Sequence, residues 1–187
     1  IEIGAVKIVD GKISDRFSEF VNPMIPIPQR ITEVTSITDD MVKDAETIEN
    51  ILPRFLKFCE GSILVAHNAG FDYSFICKKG QALGLNTDFT VVDTVGIARV
   101  LYPHLAKYTL DNVAKVMKIS LLHHHRAVDD AKATADIFEK MIVMLEKQGI
   151  MDLDSLYERT HSAPEIIRKK PYYHAIILAQ NEVGRVN

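Results

Sequence analysis

The chain has 187 residues, of which 47% are hydrophobic and 25% charged, and its formal net charge is −3. This composition is typical of one folded domain with a short appendage, and it excludes a disordered or fibrous chain. The negative charge argues against a broad nucleic-acid footprint built from many Lys and Arg contacts, although it leaves room for a small one. No signal segment opens the chain, no apolar run reaches the roughly 18 residues of a membrane span, and the two cysteines lack a zinc spacing. We therefore expect a cytoplasmic protein without membrane association.

The first elements in the chain are predicted to be a β-hairpin and an extended loop. Two runs that alternate apolar and polar residues, Ile3–Ile8 and Arg16–Val21, flank the turn sequence Asp10-Gly11-Lys12. Residues 22–28 contain three prolines at near-alternate positions, which prevents them from joining a central strand.

Helices and strands then alternate. Thr38 is suited to cap a short helix, and apolar residues at helical spacing between Ile48 and Cys59 predict a longer helix with Pro53 in its first turn. The apolar run Ser62–Ala66 predicts a buried strand that leads into a helix containing Asp72.

A second strand, at residues 90–92, is followed by Asp93 and another helix, and a long last helix is predicted over residues 127–147. This order predicts an α/β fold with a mixed central sheet flanked by helices. From residue 149 a polar connector precedes a strand-like stretch, so we place one domain at 1–148 and a linker with the start of another unit at 149–187.

Two segments each place a carboxylate at the start of a helix. Asp72 follows a strand, and Asp130 lies at the beginning of the last helix, five residues after His125. Oxygen ligands for a hard cation together with a histidine base indicate a divalent-metal phosphodiesterase. The competing interpretations are that Asp72 only caps its helix and that Asp130 is a solvated first-turn acid, as we expect of Asp129.

Other polar residues near these segments are expected to have structural roles. The triplet of histidines at 123–125 could be a metal tract or a surface loop. We expect Asp93 to cap the next helix, His67 and Asn68 to hold the turn after the strand, and Phe71 to pack in the core.

Three blocks of the sequence, His67–Asp72, Val92–Thr94 and His125–Ala131, resemble the second and third motifs of the DEDDh 3′-5′ exonucleases and the segment between them. Ile31–Thr38 resembles the loop before that family's first helix, and Ile1–Val6 resembles the strand after its first motif. The resemblance covers about residues 1–147 and implies a ribonuclease H-like three-layer fold.

The resemblance also implies the chemistry. The family removes nucleotides from 3′ ends with two Mg²⁺ or Mn²⁺ ions, so Asp72 and Asp130 would be metal ligands and His125 the general base. Residues that would contact the terminal nucleotides are Thr35, Ser36, Ile37, Asn68 and Phe71.

Within the family, the likeness is greatest to the proofreading domain of PolC-type bacterial replicative polymerases. The tail Tyr173–Gly184 resembles the segment where the polymerase sequence resumes after the exonuclease. This resemblance implies two partners, the 3′ end of single-stranded DNA and the polymerase domains of the same polypeptide.

Two departures from the family pattern keep alternatives open. The family's first motif, Asp-x-Glu on the central strand, has no counterpart in the 187 residues, and Ser36 stands where the family usually has Gly. Without that strand we expect a polypeptide beginning at Ile1 to fold poorly, and we expect only a longer molecule to cleave DNA. The alternatives are an RNA 3′-end exonuclease of the same fold and a non-catalytic module that binds strand ends.

Overall fold

The computed structural model describes residues 1–120 and 126–160, together with the backbone of 174–179. The strands are β1 (Glu2–Val9), β2 (Lys12–Phe20), β3 (Ser62–Ala66), β4 (Val91–Asp93) and β5 (His174–Ala179). The helices are α1 (Gln29–Thr35), α2 (Asp39–Val42), α3 (Ile48–Cys59), α4 (Ala69–Ala82), α5 (Thr94–Leu101), α6 (Leu110–Val116), α7 (Ala127–Glu146) and α8 (Leu153–Thr160). The strands form one mixed sheet in the order β2-β1-β5-β3-β4, which confirms the predicted α/β class.

The predicted hairpin is confirmed by the antiparallel pairing of β1 with β2. Its turn needs a left-handed backbone at two successive residues, Asp10 with φ 51° and Gly11 with φ 71°. Glycine adopts this conformation without a steric penalty and aspartate tolerates it, so the sequence Asp-Gly is suited to reversing the chain between two twisted strands.

Two local predictions were wrong. Part of the segment Ile31–Thr38, expected to be a loop, lies in helix α1. Pro28 starts this helix because its φ of −58° is already helical and its carbonyl accepts hydrogen bonds from the N–H groups of Ile31 and Thr32. Pro53 lies beyond the first turn of α3, because the helix begins at Ile48.

The sheet separates two apolar layers. One face packs against α3 and α4, and the other packs against α5, α6 and α7. Alternate residues of β1 point to opposite faces, with Ile3 and Ala5 in the first layer and Val6 and Ile8 in the second. The first layer is built around Ile51, Leu52, Phe55, Leu64 and Ile76, and the second around Val65, Ile97, Val113, Ile137 and Met141.

Strand β5 lies between β1 and β3. It is antiparallel to β1, with Gly4 opposite Ala179, and parallel to β3, with Ala66 opposite Leu178. The position that we expected to lack a strand is therefore occupied in this sheet. Residues beyond 148 also contribute to the core, since Leu156 of α8 is buried in the second layer. The domain boundary at residue 148 stays a prediction.

Candidate active site

Several strand ends meet at one edge of the sheet. Because β1 runs antiparallel to β5 while β3 and β4 run parallel to it, the beginning of β1 lies beside the carboxyl ends of β3 and β4. The register shows this directly, since Ala66 at the end of β3 is opposite Asp93 at the end of β4. In α/β sheets, loops and helix starts at the carboxyl ends of strands are common positions for ligand-binding groups.

Asp72 belongs to the first turn of α4, which starts after a tight turn from β3. Asn68 makes this turn possible with a left-handed backbone, φ 68° and ψ 48°. The Asp72 side chain is only 7% exposed. Carboxylate oxygens of this kind are the ligands that hard divalent cations prefer.

Asp130 belongs to the first turn of α7 and is half-buried. Its backbone N–H donates to the carbonyl oxygen of Arg126 at 3.1 Å. Helix α7 covers the opposite face of the sheet from α4, and its first residues lie against Gly4 near the beginning of β1. The helix starts that carry Asp72 and Asp130 therefore approach the same sheet edge from its two faces.

His125 lies outside the described residues, as do the other members of the histidine triplet. The described residue that follows it is Arg126, which precedes α7. Among the residues that the structure describes, no three or more His, Cys, Asp or Glu side chains are grouped so that they could hold a metal ion. The metal-ligand roles of Asp72 and Asp130 and the base role of His125 therefore stay predictions.

Asp93 has the structural role that the sequence predicted. Its Oδ1 accepts a hydrogen bond from the backbone N–H of Val95 at 2.9 Å, which caps α5. The same oxygen accepts from the backbone N–H of Asn68 at 3.0 Å. One carboxylate thus fixes both the start of α5 and the turn that leads to Asp72.

His67 holds the same turn from the other side. Its Nε2 lies 2.8 Å from the carbonyl oxygen of Tyr108, and its Nδ1 lies 2.9 Å from Oγ1 of Thr94. Because a carbonyl oxygen can only accept, Nε2 carries a proton and donates it to Tyr108. The imidazole therefore ties the end of β3 to α5 and to the segment before α6, as expected of a residue that shapes the turn.

The predicted nucleotide-contact residues differ in accessibility. Thr35 and Ile37 are 3% and 2% exposed, and Oγ1 of Thr35 accepts from the N–H of Ile37 at 3.1 Å. Ser36 and Asn68 are exposed, and Phe71 is half-buried. Ser36 has φ 58°, a left-handed conformation that glycine adopts at lower cost. This backbone geometry is one that a glycine at this position would adopt without strain.

Glu2 lies near the candidate site, at the beginning of β1, and was not identified from the sequence. It is 1% exposed, and its carboxylate accepts hydrogen bonds from the Arg126 side chain and from the backbone N–H of Ala127. These bonds to Glu2 also hold the pKa of the Arg126 guanidinium above its usual value. The sequence indicated this position, because Glu2 is an even number of residues from Val6 and Ile8 on the same strand, and both of those side chains point into the core.

The comparisons with known proteins agree with this architecture. Residues 1–138 match the family model described as exonuclease, RNase_T, and the chain belongs to this exonuclease family. Over its whole length it is 49% identical to a DNA polymerase III PolC-type of Caldanaerobacter subterraneus subsp. tengcongensis and 50% identical to one of Clostridium perfringens. The chain spans only 13% of the length of each of these relatives. It is thus an exonuclease domain homologous to a segment of PolC-type polymerases.

Solved structures show the same fold. Exonuclease X in complex with 5′ overhanging duplex DNA aligns with a TM-score of 0.65 and 30% identity, covering 86% of this chain and 90% of that one. The nuclease domain of 3′hExo, a DEDDh family member bound to rAMP, aligns with a TM-score of 0.62 and 18% identity, covering 80% and 83%. These neighbours confirm the ribonuclease H-like fold class, and membership of the family implies that activity depends on a divalent metal. None of the described helices is both long and apolar enough to cross a lipid bilayer.

Proposed function

We propose that this chain provides the 3′-5′ exonuclease activity that removes nucleotides from single-stranded DNA 3′ ends and proofreads for a PolC-type polymerase in the bacterial cytoplasm. The observation that carries the proposal is the approach of two acidic helix starts, those of α4 and α7, to one edge of the sheet. The identity of 49% to a PolC-type polymerase supports the choice of DNA and of polymerase domains as partners.

Asp72 and Asp130 are suited to hold Mg²⁺ or Mn²⁺ because both are carboxylates on helices packed against the sheet. Mg²⁺ prefers hard oxygen ligands and is commonly bound by one or two protein carboxylates plus substrate phosphates. A pair of such ions, when bound, activates a water molecule and neutralises charge on the leaving 3′ oxygen. Packing of α4 and α7 on opposite faces keeps the two carboxylates in place, so little ordering is needed when substrate arrives.

In this proposal His125 accepts a proton from the attacking water. An imidazole has an unperturbed pKa near 6.5, so its neutral form is abundant at the working pH of a cell. In the sequence His125 lies two residues before Ala127, the first residue of α7, and five residues before Asp130, so the proposal assigns both groups to the same part of the chain. Ser36, Asn68 and Phe71 have solvent-accessible surface that would contact the terminal nucleotides. Thr35 and Ile37 are buried, so they would contribute through their backbone and the shape of the loop.

The test compares single substitutions in the protein at its full natural length. Asp72→Asn and Asp130→Asn are expected to lower the cleavage rate of a 5′-labelled single-stranded DNA by at least about 10²-fold, and His125→Ala by about 10²- to 10⁴-fold. Asp129→Asn is the matched control, since it removes a neighbouring charge from the same helix turn. Wild-type rates in Asp130→Asn would contradict the proposal.

The same assay separates the alternatives. A DNA exonuclease shortens the 5′-labelled strand stepwise from its 3′ end and cleaves a matched RNA strand more slowly. Faster cleavage of RNA would favour the RNA exonuclease, and binding of either strand without cleavage at any Mg²⁺ or Mn²⁺ concentration would favour an end-binding module.

A further inference from the structure

We propose that Glu2 is a positioning residue for the exonuclease reaction, because its carboxylate binds the start of α7 and thereby fixes the helix turn that carries Asp130. This inference rests on the proposed function, in which Asp130 is a metal ligand. Glu2 acts through the backbone of α7 and not by contact with metal or substrate.

The contacts between Glu2 and the start of α7 are short and numerous. Nε and one terminal nitrogen of Arg126 lie 3.1 and 3.0 Å from Oε1 of Glu2, and Nε also lies 3.3 Å from Oε2. The backbone N–H of Ala127 donates to Oε2 at 3.1 Å, and Oγ of Ser18 lies 3.4 Å from Oε1. Hydrogen bonds between charged partners are stronger than neutral ones, so this set orients the helix start firmly.

Glu2 replaces the usual side-chain cap of this helix. Arg126 occupies the N-cap position but makes no side-chain capping hydrogen bond. The N–H of Ala127, the first residue of α7, would otherwise lack an acceptor within the helix. A carboxylate from β1 supplies it, so α7 is capped by the sheet and not by its own preceding residue, and the helix cannot shift without breaking this bond.

Burial makes the arrangement rigid. Glu2 is 1% exposed, whereas the Arg126 side chain is 48% exposed and lies over the ring of Phe20 at 5.1 Å. A buried carboxylate is costly unless it is paired and hydrogen-bonded, so alternative positions of α7 that leave Glu2 unpaired are disfavoured.

Gly4 is an independent sign that β1 and the start of α7 are fitted closely. A Cβ atom at Gly4 would lie 2.3 Å from the backbone of both Ala127 and Val128. Gly4 and Glu2 are two residues apart on one strand and so face the same side. The absent side chain at Gly4 allows the helix to approach, and the carboxylate of Glu2 fixes its position once there.

The main experiment uses Glu2→Gln in the protein at its full natural length, with Glu19→Gln as the control. Glu19 is also a strand glutamate paired with an arginine, but its partner is Arg54 and its side chain is 36% exposed. Glu2→Gln is expected to lower kcat on single-stranded DNA about 10- to 100-fold and to raise the Mg²⁺ concentration for half-maximal rate about 10-fold, with KM for DNA changed less than about twofold. Glu19→Gln should leave all three unchanged.

A purely structural role for Glu2 would lower thermal stability without changing the Mg²⁺ dependence of the folded protein. Values of kcat and half-maximal Mg²⁺ within about twofold of wild type in Glu2→Gln would therefore overturn the proposal. If Glu2→Gln does not fold, Arg126→Lys tests the same link, because it keeps the charge but loses the planar two-nitrogen contact. It should raise half-maximal Mg²⁺ in the same direction, and an unchanged value would overturn the proposal.

Amide hydrogen exchange provides a readout without activity. Glu2→Gln should accelerate exchange at Ala127 and at the following first-turn amides at least about 10-fold, while α4 amides keep their wild-type rates. Unchanged exchange at Ala127 would overturn the proposal. Full activity of Asp130→Asn would instead overturn the proposed function, so the two failures are distinguishable.

Discussion

Gly4→Ala is the substitution whose effect follows most directly from the structure. The added Cβ would lie 2.3 Å from the carbonyl carbon of Ala127 and from the nitrogen of Val128. Ordinary van der Waals contact begins at about 3.4 Å, so the start of α7 must move away from β1 by about 1.1 Å. These two nearest atoms belong to the backbone of α7, and backbone atoms cannot rotate out of the way as a flexible side chain could.

The displacement has two measurable consequences. Overpacking at a buried contact costs about 1–3 kcal/mol of unfolding free energy, and at about 2–4 °C per kcal/mol for a domain of this size the melting temperature should fall by roughly 2–12 °C. A misplacement of about 1 Å can cost about 10²-fold in rate, so kcat on single-stranded DNA should fall by about that factor if Asp130 binds metal.

Urea unfolding followed at this domain and single-turnover cleavage, both with the protein at its full natural length, measure the two effects. Gly70→Ala is the matched control for stability, because nothing lies within 4 Å of its added Cβ and it is inside α4. Alanine there should stabilise the helix by about 0.5–1 kcal/mol. If Gly4→Ala were as stable as wild type, the close approach of α7 to β1 would be refuted.

Three further substitutions or reactions test other parts of the structure. Asp93→Ala removes the acceptor for the Val95 N–H and should cost about 0.5–2 kcal/mol in urea unfolding; an unchanged midpoint would exclude the capping role. Ser36→Gly relieves a left-handed serine at φ 58° and should raise unfolding free energy by up to about 1 kcal/mol, whereas a loss would show that Ser36 is not strained. Burial raises the pKa of the Cys59 thiol, so iodoacetamide at pH 8 should leave Cys59 unmodified until the chain unfolds. The partly exposed Cys77 should be alkylated faster, and equal alkylation rates in the folded protein would contradict the buried position of Cys59.

Much of the fold could be predicted because the relevant signals are local. The alternation in β1 and β2, the Asp-Gly turn and the capping residue Asp93 act over a few neighbouring residues. Helix α1 was not predicted, because the prolines that precede it indicated a loop, whereas Pro28 initiates the helix. The candidate ligands Asp72 and Asp130 were recognised from motif spacing, and their metal-binding role stays a prediction.

Apart from α1 and α8, the sequence by itself determined which segments become strands and helices and which residues carry carboxylates at helix starts, since these depend on periodicity and capping over one or two turns. Only the tertiary structure decided that β5 lies between β1 and β3. It also decided that Glu2 binds Arg126 at the start of α7, although the two residues are 124 positions apart in the sequence. Strand order and long-range ion pairs depend on how whole elements pack, because backbone hydrogen bonds and buried charges must be satisfied by whichever groups the fold brings near.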